Sequence, residues 1–230
     1  MPAMRIRAWL AVSATVFVHS VNVTAAAAGP PDTPPVSNGV REPAMSVPPP
    51  QGNSASPLDP VRVRVYRSTH LRGDALRLAL GVAEATFSAA GIQVVWTVCE
   101  PGECLTPPAP TERLVRLVRL HRGQPHHQRC LGDALIDSQQ QSGGLATVYV
   151  DQVLDVARRL DIDRGTLLGH TIAHEIGHLL LGSITHGASG LMREVWSRKE
   201  MQEGRGDDWA LLPFEAAAIR LRLTNSRSTS

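Results

Sequence analysis

The sequence predicts an α+β domain: a twisted mixed β-sheet packed with helices, followed by a small C-terminal part that ends in a helix. Three observations predict it. Val61 to Tyr66 alternates apolar and polar residues with period two, residues 74–90 and 167–181 carry apolar stripes of helical period, and the elements run strand, helix, strands, helix, loop, helix. At 230 residues, 43% apolar and 19% charged, the chain is long enough for one ordinary core. Only 4% of residues are aromatic, but leucine, valine, isoleucine and alanine supply enough apolar side chains to exclude wholesale disorder.

Residues 1–28 read as a secretory signal peptide. Arg5 and Arg7 precede the apolar run Ala8 to Val18, and Ala25 to Ala28 offers small residues for cleavage. That run is shorter than the roughly 20 residues a bilayer span requires, so a secreted or periplasmic protein without stable membrane insertion is expected. The formal charge of +2 disappears with the two arginines of this segment, which leaves no electrostatic argument for a nucleic-acid partner. Residues 29–60 hold ten of the seventeen prolines and almost no large apolar side chains, the composition of a disordered linker.

The folded domain is expected over 61–224, with 225–230 as a disordered tail. After the first strand, Asp74 is placed to cap a helix running to about Ala90, with Leu76, Leu80, Ala83 and Phe87 on one face and Gly91 as its stop. Ile92 to Val98 reads as a β-branched strand. A proline-rich loop follows, and arginines at every third residue from Arg113 leave the segment to Leu120 between two periods; a strand is predicted there. Leu145 to Val150 is the next strand. The strongest helix is 167–181, where Leu168, Ile172 and Ile176 form the stripe and Gly182 terminates it. Pro213 opens the last helix, to about Leu223.

Three cysteines occur. Cys99 and Cys104 flank a Glu-Pro-Gly-Glu turn and are the predicted disulfide, with Cys104–Cys130 as the rival pairing. Cys130 near His121, His126 and His127 matches no metal-ligand spacing, and a solvated polar loop accounts for it. Arg-Gly-Asp stands at 72–74 and again at 205–207, too short a motif to carry a function.

Chemistry concentrates at His174-Glu175-Ile176-Gly177-His178. On a helix, histidines four apart lie one turn apart on one face and can aim at one cation. Glu175 is turned about 100° away, within reach of a water activated by that cation without ligating it. A catalytic zinc needs a third protein ligand. His186, arriving after the Gly182 turn, is the first candidate; Glu194, Glu200 or Glu203 would define a different class of site. His170 lies about 12 Å along the helix axis from His178, too far for all three helical histidines to share an ion.

The run from His174 to Met192 resembles the metzincin metalloproteases, whose pattern is H-E-x-x-H on a helix, a glycine turn, a third histidine and a methionine turn. Here the glycine falls one residue later and the histidine two later than usual, so Leu181 and Ile184 occupy the standard Gly and His positions. The longer form, H-E-I-G-H-L-L-L-G-S-x-x-H followed by Gly190-Leu-Met192, looks like a group of bacterial secreted proteases related to metzincins. The resemblance implies a metzincin-like zincin fold, Zn2+ on His174, His178 and His186, Glu175 as general base, and Met192 in a turn beneath the metal. It also implies an exported, monomeric metalloendopeptidase acting on peptide or protein substrates, with Leu145 to Val150 as the edge strand that pairs the substrate. Arg193, immediately after Met192, is a candidate to face a developing oxyanion. A non-catalytic structural zinc protein and a metallo-amidase acting on non-protein amides are the competing readings.

Overall fold

The computed structural model describes residues 4–9, 58–67, 71–119, 130–137 and 139–227. The rest of the expected signal and linker segments, and His121, His126 and His127, lie outside the described residues.

A mixed sheet forms the frame. β1 (Met4–Trp9), β2 (Val61–Arg67), β3 (Val94–Cys99), β4 (Arg113–Val118), β5 (Cys130–Asp137) and β6 (Ser142–Tyr149) lie in the order β1-β5-β6-β4-β2-β3. β3, β2, β4 and β6 run parallel, whereas β5 is antiparallel to β6 and β1 is antiparallel to β5. Along β2 the valines at 61, 63 and 65 are buried, as a period-two strand dictates. The arginine series resolves in the same way: Arg113 shares a face of β4 with the fully buried Val115 and Leu117, while Arg116 takes the other and donates to Thr147 Oγ1 at 3.1 Å.

Among the described residues the sheet is joined by five α-helices, α1 (Gly73–Ala89), α2 (Val150–Leu160), α3 (Arg164–Leu181), α4 (Arg198–Glu203) and α5 (Pro213–Arg227), and a 3-10 turn at Gly206–Trp209. α3 is the central one; of its 18 residues, 14 are buried, since it packs against α1, α2, α5 and the sheet. Its start is earlier than the apolar stripe indicates. Asp163 caps it by accepting from the Thr166 backbone N–H at 2.7 Å, which satisfies a donor the helix cannot satisfy itself. Gly182 ends it at φ 57°, a left-handed conformation costly for any residue with a Cβ. No described helix is long and apolar enough to cross a membrane.

Several expectations need correction. Asp74 does not cap α1: Gly73 is already helical, the N-cap is Arg72, and Asp74 pairs with Arg72 at 3.1 Å. The first Arg-Gly-Asp is thus closed on itself. α5 continues to Arg227, three residues into the expected tail. α2 and α4 stand where no element was expected. The segment Leu145 to Val150 is no edge strand, because β6 is hydrogen-bonded on both sides and Val150 already belongs to α2. A strand with both ladders filled has no backbone groups left for a peptide. The outer strand at this side of the sheet is β1, which is paired along β5.

Candidate metal centre

α3 presents His174 and His178 one turn apart, and the loop after Gly182 brings His186 to meet them. The Nε2 atom of His178 lies 3.1 Å from that of His174 and 3.2 Å from that of His186. Two ligands bound to one tetrahedral zinc at about 2.05 Å stand about 3.3 Å apart, so this spacing suits that ion. Among the described residues this is the cluster of three metal-ligating side chains close enough to share an ion.

Tautomers sharpen the point. His174 Nδ1 donates to the Leu191 carbonyl at 2.8 Å, and His178 Nδ1 donates to the Ser183 carbonyl at 2.8 Å. Both Nε2 atoms therefore turn lone pairs toward each other and toward His186. Lone pairs facing at this distance repel unless a cation lies between them, and burial disfavours a proton in that role. Burial pushes His174 well below its ordinary range, aided by the neighbouring His178, and pushes His178 down to about 4. The half-buried His186 is shifted the same way by burial. Neutral imidazoles held by backbone carbonyls are the form that ligates metal. The donor set fits Zn2+.

The loop that supplies His186 is pinned rather than free. Gly187 N–H donates to the Met192 carbonyl at 2.8 Å, and Leu191 N–H donates to the Ala210 carbonyl at 2.8 Å. Trp196 Nε1 reaches the same Leu191 carbonyl as His174, at 3.3 Å, and its ring meets the His174 ring edge-on at 5.4 Å. Met192 is fully buried against Gly177 of α3. Of the competing carboxylates, Glu194 is exposed, and Glu200 forms the capping box of α4 and pairs with Arg193. Neither they nor Glu203 join the cluster. Arg193 is also committed to the Gly190 carbonyl at 3.2 Å and to Asp208 at 3.6 Å, so it does not turn toward a substrate with those contacts intact.

Glu175 is completely buried, and neither carboxylate oxygen has a hydrogen-bond partner. Burial, and next the charge of Asp133, push its carboxyl well above the usual range in the metal-free protein. A cavity of about 10 Å³ between Leu131, Thr171 and Trp196 touches both Glu175 and His174. That is room for about one water molecule. The opposite side of Glu175 lies on β5: a Cβ at Gly132 would come within 2.6 Å of Oε1. Sequence reasoning gave Gly132 and Asp133 no part in this site, since nothing in a lone glycine or aspartate signals it.

His170 stands outside the cluster, stacked on Trp209 with ring centroids 4.1 Å apart. Cys99 and Cys104 form a disulfide, with Cα atoms 5.7 Å apart, and the buried Cys130 thiol donates to the Gly132 carbonyl at 2.6 Å.

No family model matches the chain, and no curated protein matches it. One solved structure is similar, that of a zinc-dependent peptidase from Methanocorpusculum labreanum, at 13% identity and a TM-score of 0.45 over 70% of this chain and 99% of that one. A likeness at this level assigns this chain neither family nor activity.

Proposed function

We propose that this chain is an exported zinc-dependent endopeptidase, metzincin-like in its site, with His174, His178 and His186 as ligands, Glu175 as general base and Met192 as the residue beneath the metal. The observation that carries the reading is the convergence of three imidazole Nε2 atoms beside a buried carboxylate that has no partner. Zinc held by His174, His178 and His186 would supply Lewis acidity toward a water and the scissile carbonyl. Glu175 accepts the proton of the attacking water and hands it to the leaving amine. The low-dielectric pocket raises the affinity of its carboxylate for that proton.

The edge of β5 supports an extended peptide as substrate. β1 pairs with it from Met4↔Ile136 to Trp9↔Cys130, so its outward backbone groups accept an antiparallel strand. Removal of residues 1–28 on export frees that edge for a substrate, and Gly132 sets it against Glu175. A structural zinc would call for a fourth ligand and no acid poised beside the ion. Export and a secreted or periplasmic location rest on the signal-like residues 1–28.

Glu175→Gln tests the mechanism. The variant keeps the side chain's size but takes up no proton, so zinc stoichiometry and melting temperature stay near wild type while cleavage of a mixed peptide library falls by about 10²- to 10⁴-fold. Undiminished turnover would sink the assignment of the base, absence of cleavage in both proteins would favour structural zinc, and cleavage confined to non-peptide amides would favour the amidase reading.

A further inference from the structure

Away from the histidine cluster, the sheet carries a partly buried cation on its helix-covered face. Arg113 opens β4 opposite Val63, on the side that next holds the fully buried Val115 and Leu117. Its Nε is buried and has no hydrogen-bond partner, while one terminal nitrogen reaches only the Thr111 carbonyl, at 3.2 Å. Burial, and next the like charge of Arg222, both work against its ionised form. The neighbouring arginines are provided for: Arg64 is held by Glu112 at 2.8 Å and Arg67 by Glu100 at 2.7 Å. Among the described residues no carboxylate forms an ion pair with Arg113. A partly buried guanidinium without an ion pair is stabilised by an anion that joins it.

Arg113 faces a cavity of about 430 Å³. Asp59 and Arg62 stand in its lining, and Leu180 and Leu223 supply apolar wall. The volume is that of a small-ligand site, and a guanidinium matches a carboxylate with two parallel hydrogen bonds. Bare inorganic anions would leave the leucine wall unused. We propose that this cavity binds a small monocarboxylate with an apolar body, its carboxylate on Arg113 and its hydrocarbon against Leu180 and Leu223. The site is separate from the metal centre and does not depend on the peptidase reading.

Isothermal titration of the full chain with octanoate, octanol and inorganic phosphate tests it. Octanoate binds saturably at one per chain, and octanol and phosphate bind at least tenfold more weakly. Arg113→Gln weakens octanoate at least tenfold with the thermal transition retained. Leu223→Glu, at the helix end, places a carboxylate at the cavity wall and abolishes binding without touching Arg113, so it decides the matter if Arg113→Gln fails to fold. Absence of saturable octanoate binding, equal affinity in Arg113→Gln or Leu223→Glu, or equal affinity for octanol or phosphate would each overturn the proposal.

Discussion

Met192 Sδ occupies the space that a side chain at residue 177 would claim: a Cβ on Gly177 would stand 2.4 Å from that sulfur. The fourth position of His174-Glu-Ile-Gly-His178 is therefore tied to the turn that follows His186, and the two halves of the site fit only as a pair. Gly177→Ala gains about 1 kcal/mol of helix propensity but overpacks a buried contact at about 1–3 kcal/mol, so a net loss of stability is expected. In a double-mutant cycle measured by denaturant unfolding, Gly177→Ala and Met192→Ala should couple by at least about 0.5 kcal/mol, the double variant being less damaged than the sum of the singles. Strict additivity would show that the two residues do not share that space.

Gly132 should matter to turnover through Glu175. A methyl there meets the Glu175 Cγ and Cδ at 2.8 Å as well as Oε1, so the whole side chain is displaced rather than its tip. Because a misplacement of about 1 Å can cost about 10²-fold, Gly132→Ala should lower kcat/KM by at least tenfold with zinc content unchanged. Full activity would mean that Glu175 has room the structure does not show.

Removing the third imidazole should release the metal. His186→Ala leaves two ligands on α3, and native mass spectrometry should find about one zinc per wild-type chain and far less in the variant at the same free zinc concentration. Retention of zinc at wild-type affinity would move the third ligand to a carboxylate.

The metal-free protein should lose stability in mild acid through its buried histidines. Burial lowers His170 to about 4 from the ordinary 6.5, so below pH 6.5 the unfolded chain takes up a proton that the folded chain refuses until about pH 4. Stability from this group is thus complete above pH 6.5 and falls as pH drops toward 4; His174 and His178 act in the same direction. His170→Gln should flatten part of that slope in chemical denaturation of zinc-free protein, and an unchanged slope would assign it to other groups.

The sequence by itself determined the parts whose signal is local. An i, i+4 histidine pair on an apolar stripe defines a helix face that can meet a cation, and Gly182 marks where the chain must turn. Period-two valines define β2 for the same reason. Elements whose signal depends on neighbours were not legible. β5 is buried on both faces from Cys130 to Ala134, so it does not alternate, and Gly132 and Asp133 are poor strand formers. Its glycine makes sense only beside Glu175, 43 positions later in the chain. α2 carries a helical repeat in Val150, Val153, Ala157 and Leu160, yet it follows β6 without a glycine, proline or capping side chain to separate the two. The meeting of His186 with α3 was likewise decided by tertiary contacts. The Gly187 to Met192 and Leu191 to Ala210 backbone hydrogen bonds close that loop, and backbone pairing of this kind leaves no trace in side-chain identity.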